Sequence, residues 1–215
     1  MVNLLKAASF GPDDGLHLDI FAHSMGTMVA RSMVEMWGGD EFVDRCFLAG
    51  PPNNGSRLAE LKRLIPILVT LGVNQLVPMP PSIIAGWAIK KVSNDCQAGD
   101  DLRPSSDFVK QINGSARPAK VPYYIMAGRN QLADEVAATA WARFSQTMAR
   151  TADLALDALF SDQNDMLISV HSMTTVRNGN YPVDLLHRQV LPCNHFGYFS
   201  SKEGREKLLQ WLQAA

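Results

Sequence analysis

One short stretch decides the fold of this chain: Ala22-His23-Ser24-Met25-Gly26. An apolar run precedes it at residues 16–21, and a run with helical character follows it at residues 27–34. A small residue two positions before the serine and a glycine two positions after it let the chain reverse sharply between a strand and a helix. We therefore expect the Ser24 hydroxyl to stand exposed at the tip of a strand–turn–helix unit.

The stretch fits the nucleophile-elbow pattern G-x-S-x-G, with Ala22 at the first glycine position. Three other patches carry further likeness. Residues 45–56 are similar to the strand and "TPN-GS" turn of lipases. Residues 164–170 are similar to the "NDG-V" turn of the same enzymes, with Met166 in place of glycine. Residues 193–198 are similar to their "NH" turn. On these motifs the chain resembles the α/β-hydrolase superfamily, in the branch of lipases and lecithin–cholesterol acyltransferases.

The resemblance implies a catalytic triad in the chain order Ser24, Asp165, His195, which is the order that this fold uses. A serine hydroxyl is a weak nucleophile and needs an adjacent base, which would be His195, and an acid that orients the base, which would be Asp165. The backbone N–H of Met25, at a helix N-terminus, is the expected oxyanion donor.

Several residues compete for these roles. Asp162 is the main alternative acid, and Asp134 lies nearer to the preceding strand. Three histidines are weaker candidates for the base because they fall at strand starts or in a loop: His17, His171 and His187. His23 follows the strand directly, and its position predicts packing within the elbow.

Composition predicts one globular domain, and the resemblance implies that it is a single α/β-hydrolase-like domain spanning residues 1–215. The 215 residues are 47% hydrophobic and 19% charged, which suffices for a sizeable core. A net charge of -1 argues against nucleic acid as a partner. Three cysteines form no metal-like pairing, Cys46 is expected to be buried, and no cofactor or metal is expected. The short, interrupted amino-terminal apolar stretch is no signal peptide, so we expect a cytoplasmic protein.

Alternating apolar and helical patterns predict a mostly parallel sheet flanked by helices. Strands are expected at residues 16–22, 45–49, 121–128 and 187–191, and helices at 26–37 and 202–212. Two insertions interrupt this order, a cap or lid at 56–100 and a helical insertion at 131–160. Residues 64–89 contain no charged side chain, and Pro66, Gly72, Pro78, Pro80 and Pro81 interrupt the stretch, which disfavours a transmembrane helix. An apolar cap over the serine is favoured over a pair of helices packed on the core.

The resemblance also implies that the fold is incomplete at its amino end, because the nucleophile strand is the fifth strand of the full hydrolase sheet. The strand from Leu16 to Ala22 would then be an apolar edge open to self-association or to a partner strand. The loop that normally provides the second oxyanion donor would be absent too, and we expect the isolated chain to be a poor esterase.

The expected function is that of a serine carboxylic-ester hydrolase, lipase- or esterase-like, that works through an acyl-enzyme on an apolar acyl ester, with transient contact to a membrane or lipid interface. Two alternatives stay open at this point. One is an acyltransferase on the same triad, and the other is a catalytically silent hydrolase domain or fragment that serves as an interaction module.

Overall fold

A computed structural model describes residues 1–12, 15–56, 100–129 and 162–214. The predicted cap at 56–100, except for its two end residues, and the predicted helical insertion at 131–160 lie outside the described residues. The same holds for Asp134.

Within these described ranges, four strands form one parallel sheet in the order β1-β2-β3-β4. They are β1 (Leu18–His23), β2 (Val43–Ala49), β3 (Tyr123–Gly128) and β4 (Leu186–Leu191). The helices are α1 (Val2–Ala7), α2 (Met25–Met36), α3 (Asp107–Asn113), α4 (Val170–Thr174) and α5 (Lys202–Gln213). Short 3-10 turns occupy Gly39–Glu41, Arg177–Gly179 and Val183–Leu185. All six predicted elements are present. Strand β3 starts later than predicted, after Pro122, which has no N–H to donate to a ladder.

Helices cover both faces of the sheet. On one face, Met33 and Val34 of α2 join a core with Cys46 and Leu48 of β2, and the predicted burial of Cys46 is confirmed. On the other face, Trp211 of α5 belongs to a second core with Phe47 and Ala49, which alternate with Cys46 and Leu48 along β2. This three-layer arrangement follows from strands that are apolar on both faces.

A row of stacked rings crosses the sheet on the α5 face. Phe21, Phe47, Tyr124 and His187 are direct neighbours in the strand register, with ring centroids 4.7, 4.9 and 4.4 Å apart along the row. Cross-strand aromatic pairs of this kind stabilise one register over the alternatives.

Strand β1 is the edge of the described sheet. Among the described residues it pairs only with β2, and its Phe21 side chain is 49% exposed. The edge position of β1 in the described sheet agrees with the expectation from the sequence. The absence of the strands that precede β1 in the full hydrolase sheet stays a prediction. None of the helices in the described ranges has the length and apolar character needed to cross a bilayer.

Candidate active site

The turn between β1 and α2 holds Ser24 in a strained backbone conformation. Its φ and ψ are 54° and −129°, which a residue with a side chain rarely adopts. The Ser24 N–H donates to the carbonyl of Ala49 at 2.9 Å, and the Thr27 hydroxyl donates to the Ser24 carbonyl at 2.6 Å. Gly26 has φ below zero and, among the described residues, open space around it. The sharp reversal therefore depends on Ser24 itself rather than on this glycine.

The structure brings together the three side chains that the sequence singled out. The Ser24 hydroxyl lies 2.8 Å from Nε2 of His195, and Nδ1 of His195 lies 2.7 Å from Oδ2 of Asp165. Asp165 and His195 are buried, with 0% and 2% exposure, while Ser24 is half-buried. An imidazole so placed can accept the hydroxyl proton at Nε2 while its Nδ1–H donates to the carboxylate.

The carboxylate of Asp165 is fully supplied with donors. Its Oδ1 accepts the N–H groups of Leu167 and Ile168 at 3.1 and 2.9 Å. Its Oδ2 accepts, besides the imidazole, the hydroxyl of Tyr198 at 2.6 Å. Backbone bonds join the same turns, since the His195 N–H donates to the Asp165 carbonyl at 2.8 Å. Four donors thus satisfy the buried carboxylate and fix its orientation.

The turn that carries Asp165 departs from the lipase pattern at Met166. This residue has φ 88°, a left-handed conformation that favours the glycine of the pattern. Its side chain is nonetheless fully buried. The chain thus combines a strained backbone with a buried apolar side chain at this position.

The competing residues lie elsewhere. Asp162 accepts the N–H groups of Gln163 and His171 at 2.8 and 2.7 Å, so its carboxylate closes a turn ahead of α4. His17 pairs with Asp44 on the surface, and His187 stacks on Tyr124 at the exposed end of the ring row. None of these side chains contacts Ser24.

His23 does more than the predicted elbow packing. Its ring lies 4.8 Å from that of His195, in line with packing, but its Nε2 also lies 2.8 Å from the His195 carbonyl oxygen. Burial, and then the neighbouring His195, lower the pKa of His23 below its usual 6.5. At neutral pH it is therefore a neutral donor that fixes the backbone of His195.

Two glycines at strand ends leave room for this cluster. A Cβ added to Gly50, which follows β2 with φ 57°, would lie 2.8 Å from the Tyr198 ring and 3.2 Å from both Asp165 Oδ2 and His195 Cε1. A Cβ on Gly128, at the end of β3, would lie 2.8 Å from both Asp165 Cβ and the Tyr198 hydroxyl. The carboxyl ends of three parallel strands thus converge on one small volume.

A buried polar network supports the loop after β2. Arg31 of α2, 0% exposed, pairs with Glu35 at 2.7 Å and donates to Asn53 Oδ1 at 3.1 Å. Asn53 in turn donates to the carbonyl of Met173 in α4 at 2.6 Å. Helix α2, which starts at the elbow, is thereby tied to the segment that carries Asp165.

Exposed apolar side chains follow both Ser24 and His195 in the chain. Met25 and Val29, on the first turns of α2, are 47% and 48% exposed, and Phe196, directly after His195, is 36% exposed. The Met25 N–H is at the first position of α2, where backbone amides have no intrahelical acceptor. Among the described residues, no group of three or more His, Cys, Asp or Glu side chains could hold a metal ion.

The match to a protein family covers almost the whole chain. A family model described as Domain of unknown function (DUF7379) matches residues 1–213. The chain belongs to this family. No curated protein matches this DUF7379 member.

Solved structures that resemble this DUF7379 domain are bacterial lipases and esterases. The mature form of Bacillus licheniformis lipase BlEst2 matches with a TM-score of 0.58 and 16% identity, over 99% of this chain and 70% of that one. The propeptide form of the same lipase matches with a TM-score of 0.52 and 16% identity, over 91% of this chain and 35% of that one. EstA from Clostridium botulinum matches with a TM-score of 0.55 and 14% identity, over 94% of this chain and 65% of that one. The DUF7379 domain therefore has a lipase-like α/β-hydrolase fold, which confirms the predicted fold class, and it spans only part of each of these chains.

Proposed function

We propose that this chain is a serine carboxylic-ester hydrolase of the lipase and esterase kind, with Ser24 as nucleophile, His195 as base and Asp165 as acid. One observation carries the proposal: the continuous hydrogen-bond chain from the Ser24 hydroxyl through both nitrogens of His195 to the buried Asp165. Nucleophile, base and orienting acid within hydrogen-bond reach are the signature of covalent acyl transfer.

In the proposed reaction, Ser24 Oγ forms a bond to the ester carbonyl carbon while His195 Nε2 takes its proton. The tetrahedral intermediate then expels the alcohol, which receives that proton from Nε2, and the acyl group stays on Ser24. Water repeats the sequence through the same histidine, which releases the carboxylic acid and restores the serine. Asp165 keeps the imidazole in the required tautomer and stabilises its charged form.

The N–H of Met25 is the proposed oxyanion donor. It directly follows the nucleophile and belongs to the first turn of α2, where the helix dipole favours negative charge. Oxyanion donors contribute about a hundred- to a thousand-fold each to turnover.

The proposed substrate is an apolar acyl ester, presented in part at a lipid interface. The exposed apolar side chains of Met25 and Phe196, which directly follow Ser24 and His195 in the chain, support it. So does the uncharged stretch at 64–89, although it lies outside the described residues. We expect p-nitrophenyl octanoate to be hydrolysed faster than the acetate ester, and equal rates would contradict an acyl-binding surface.

We also propose association along the outer edge of β1, with a second copy or another strand. This edge pairs with no other strand of the described residues, and edge strands with apolar side chains such as Phe21 tend to pair with further chains. Sedimentation of the purified chain should show a dimer that Phe21→Lys weakens. A monomer at all concentrations would contradict this proposal without affecting the catalytic one.

Covalent labelling with a fluorophosphonate probe tests the proposed nucleophile. Wild type should be labelled, and Ser24→Ala and His195→Ala should abolish labelling. His17→Ala is the matched control, because His17 pairs with Asp44 on the surface and should keep full labelling. Labelling that survives Ser24→Ala would reject this nucleophile, and an unlabelled, folded wild type would reject the enzymatic function in favour of a silent domain.

A further inference from the structure

Tyr198 occupies a position between strand β3 and the buried carboxylate. Its hydroxyl donates to Asp165 Oδ2 at 2.6 Å and accepts the N–H of Gly128 at 2.7 Å. The side chain is 1% exposed, so no water is needed to complete these bonds. Asp165 Oδ2 is therefore shared by two donors, the Tyr198 hydroxyl and the His195 Nδ1–H.

The hydroxyl stays protonated over the whole pH range in which an ester hydrolase works. Burial, and then the negative charge of Asp165, raise the pKa of Tyr198 well above its usual 10. The Gly128 N–H polarises the same hydroxyl and strengthens it as a donor. Tyr198 is thus a permanent donor to the carboxylate, whereas His195 changes its charge during the proposed reaction.

We propose that Tyr198 is a positioning residue that fixes Asp165 and, by sharing its Oδ2 with His195, sets the pH at which the site becomes active. The inference rests on the proposed function of Ser24 and His195. A carboxylate that already accepts a strong hydrogen bond stabilises an imidazolium less than one that does not. Loss of the Tyr198 donor should then favour the protonated imidazole, which cannot act as a base.

Other groups within the described ranges also lie close to His195. The ring of His23 packs on it from β1, Ser24 meets its Nε2, and Cys193 precedes it by two residues in the same loop. His23 opposes positive charge on His195, and its Nε2 bonds to the His195 carbonyl rather than to the carboxylate of Asp165. The direct effect of Tyr198 on Asp165 can therefore be separated from that of His23.

The test compares Tyr198→Phe with Tyr181→Phe. Tyr181 is a matched control because its buried hydroxyl also donates a short hydrogen bond, to the Val121 carbonyl at 2.6 Å, on the α2 face of the sheet. The rate of fluorophosphonate labelling is measured against pH. In Tyr198→Phe, we expect the acid limb of this pH profile, where the labelling rate rises with pH, to move to higher pH by about 0.5 to 1 unit. A shift of this size corresponds to part of the free energy of one charge-assisted hydrogen bond. Tyr181→Phe should leave the limb in place.

A second variant keeps the test decisive if Tyr198→Phe does not fold. Incorporation of 3-fluorotyrosine at position 198 retains the ring and makes the hydroxyl a stronger donor, so the acid limb should move to lower pH. Unshifted limbs in both Tyr198 variants, or an equal shift in Tyr181→Phe, would overturn the proposal.

A readout without catalysis separates this inference from the proposed function. The hydrogen-bonded Nδ1 proton of His195 can be followed by proton NMR, and its titration midpoint should move in the same directions in the same variants. If wild type is not labelled, the proposed function fails while the NMR midpoint still decides the role of Tyr198. A midpoint that is insensitive to the Tyr198 hydroxyl would overturn that role.

Discussion

Substitution of Gly50 by alanine tests how tightly the catalytic cluster is packed. Gly50 has φ 57°, and a Cβ there would lie 2.8 Å from Tyr198 Cε2 and 3.2 Å from both Asp165 Oδ2 and His195 Cε1. The left-handed backbone alone costs about 1–2 kcal/mol for a residue with a Cβ. The close contacts add about 1–3 kcal/mol, because Tyr198 is buried and has little freedom to move.

Gly179→Ala is the matched control for this substitution. Gly179 has φ 89°, but no atom of the described residues lies within 4 Å of its added Cβ, so it carries the backbone cost without the clash. For a chain of this size each kcal/mol lowers Tm by about 2–4 °C. We therefore expect a drop of about 2–8 °C for Gly179→Ala and about 4–20 °C for Gly50→Ala.

Activity should separate the two glycine variants more sharply than stability. A shift of the reacting groups by about 1 Å typically costs about a hundred-fold in rate. The labelling rate and the hydrolysis of p-nitrophenyl esters, both measured well below Tm, should fall by about that factor in Gly50→Ala and stay near wild type in Gly179→Ala. Equal losses in both variants, or an unchanged rate in Gly50→Ala, would refute the proposed packing of the site.

Two further predictions concern single side chains. Asp165→Asn should lower turnover by about 10⁴-fold, because the amide holds the wrong tautomer of the histidine. Asp162→Asn should lose only its hydrogen bond to the His171 N–H and a small part of the free energy of unfolding. Equal losses of turnover for the two variants in steady-state assays would contradict the assignment of Asp165 as the acid. Because the pKa of His23 is lowered on folding, the unfolded chain binds a proton there that the folded chain does not, so the free energy of unfolding should decrease as pH falls through 6.5. Urea unfolding at pH 5 and pH 8 should show a smaller decrease in His23→Asn than in wild type, and parallel curves would contradict the argument.

The sheet could be predicted from the sequence because its signals are local. Each strand is a short apolar run bounded by Gly, Pro or polar turn residues, and the strand-to-helix reversal at Ser24 is visible within five residues. Parallel pairing then brings the ends of these strands to one edge, which is why Ser24 and His195 could be chosen as neighbours although they are far apart in the chain.

The supporting contacts could not be predicted because they join segments that no short pattern connects. The Tyr198 hydroxyl reaches Asp165, and the His23 ring reaches the carbonyl of His195. The glycines that end β2 and β3 were a usable signal, since a glycine after a buried strand often marks a close approach of another group. The identity of that group depends on tertiary packing and is available only from the structure.

The site is rigid because the neighbouring elements hold the strained backbone of Ser24 in place. Ser24 keeps an unfavourable backbone conformation only if the elements on both sides are held in place. Strand β1 is held on one side alone by the described sheet, so the main constraint comes from α2 and its Arg31. Arg31 is fully buried and binds both Glu35 and Asn53, and removal of one partner from such a pair costs about 3–5 kcal/mol. Since Asn53 also binds the carbonyl of Met173, a movement of α2 that relaxed the serine would disturb the segment that carries the acid. Nucleophile and acid are therefore positioned by one connected structure rather than by two independent turns.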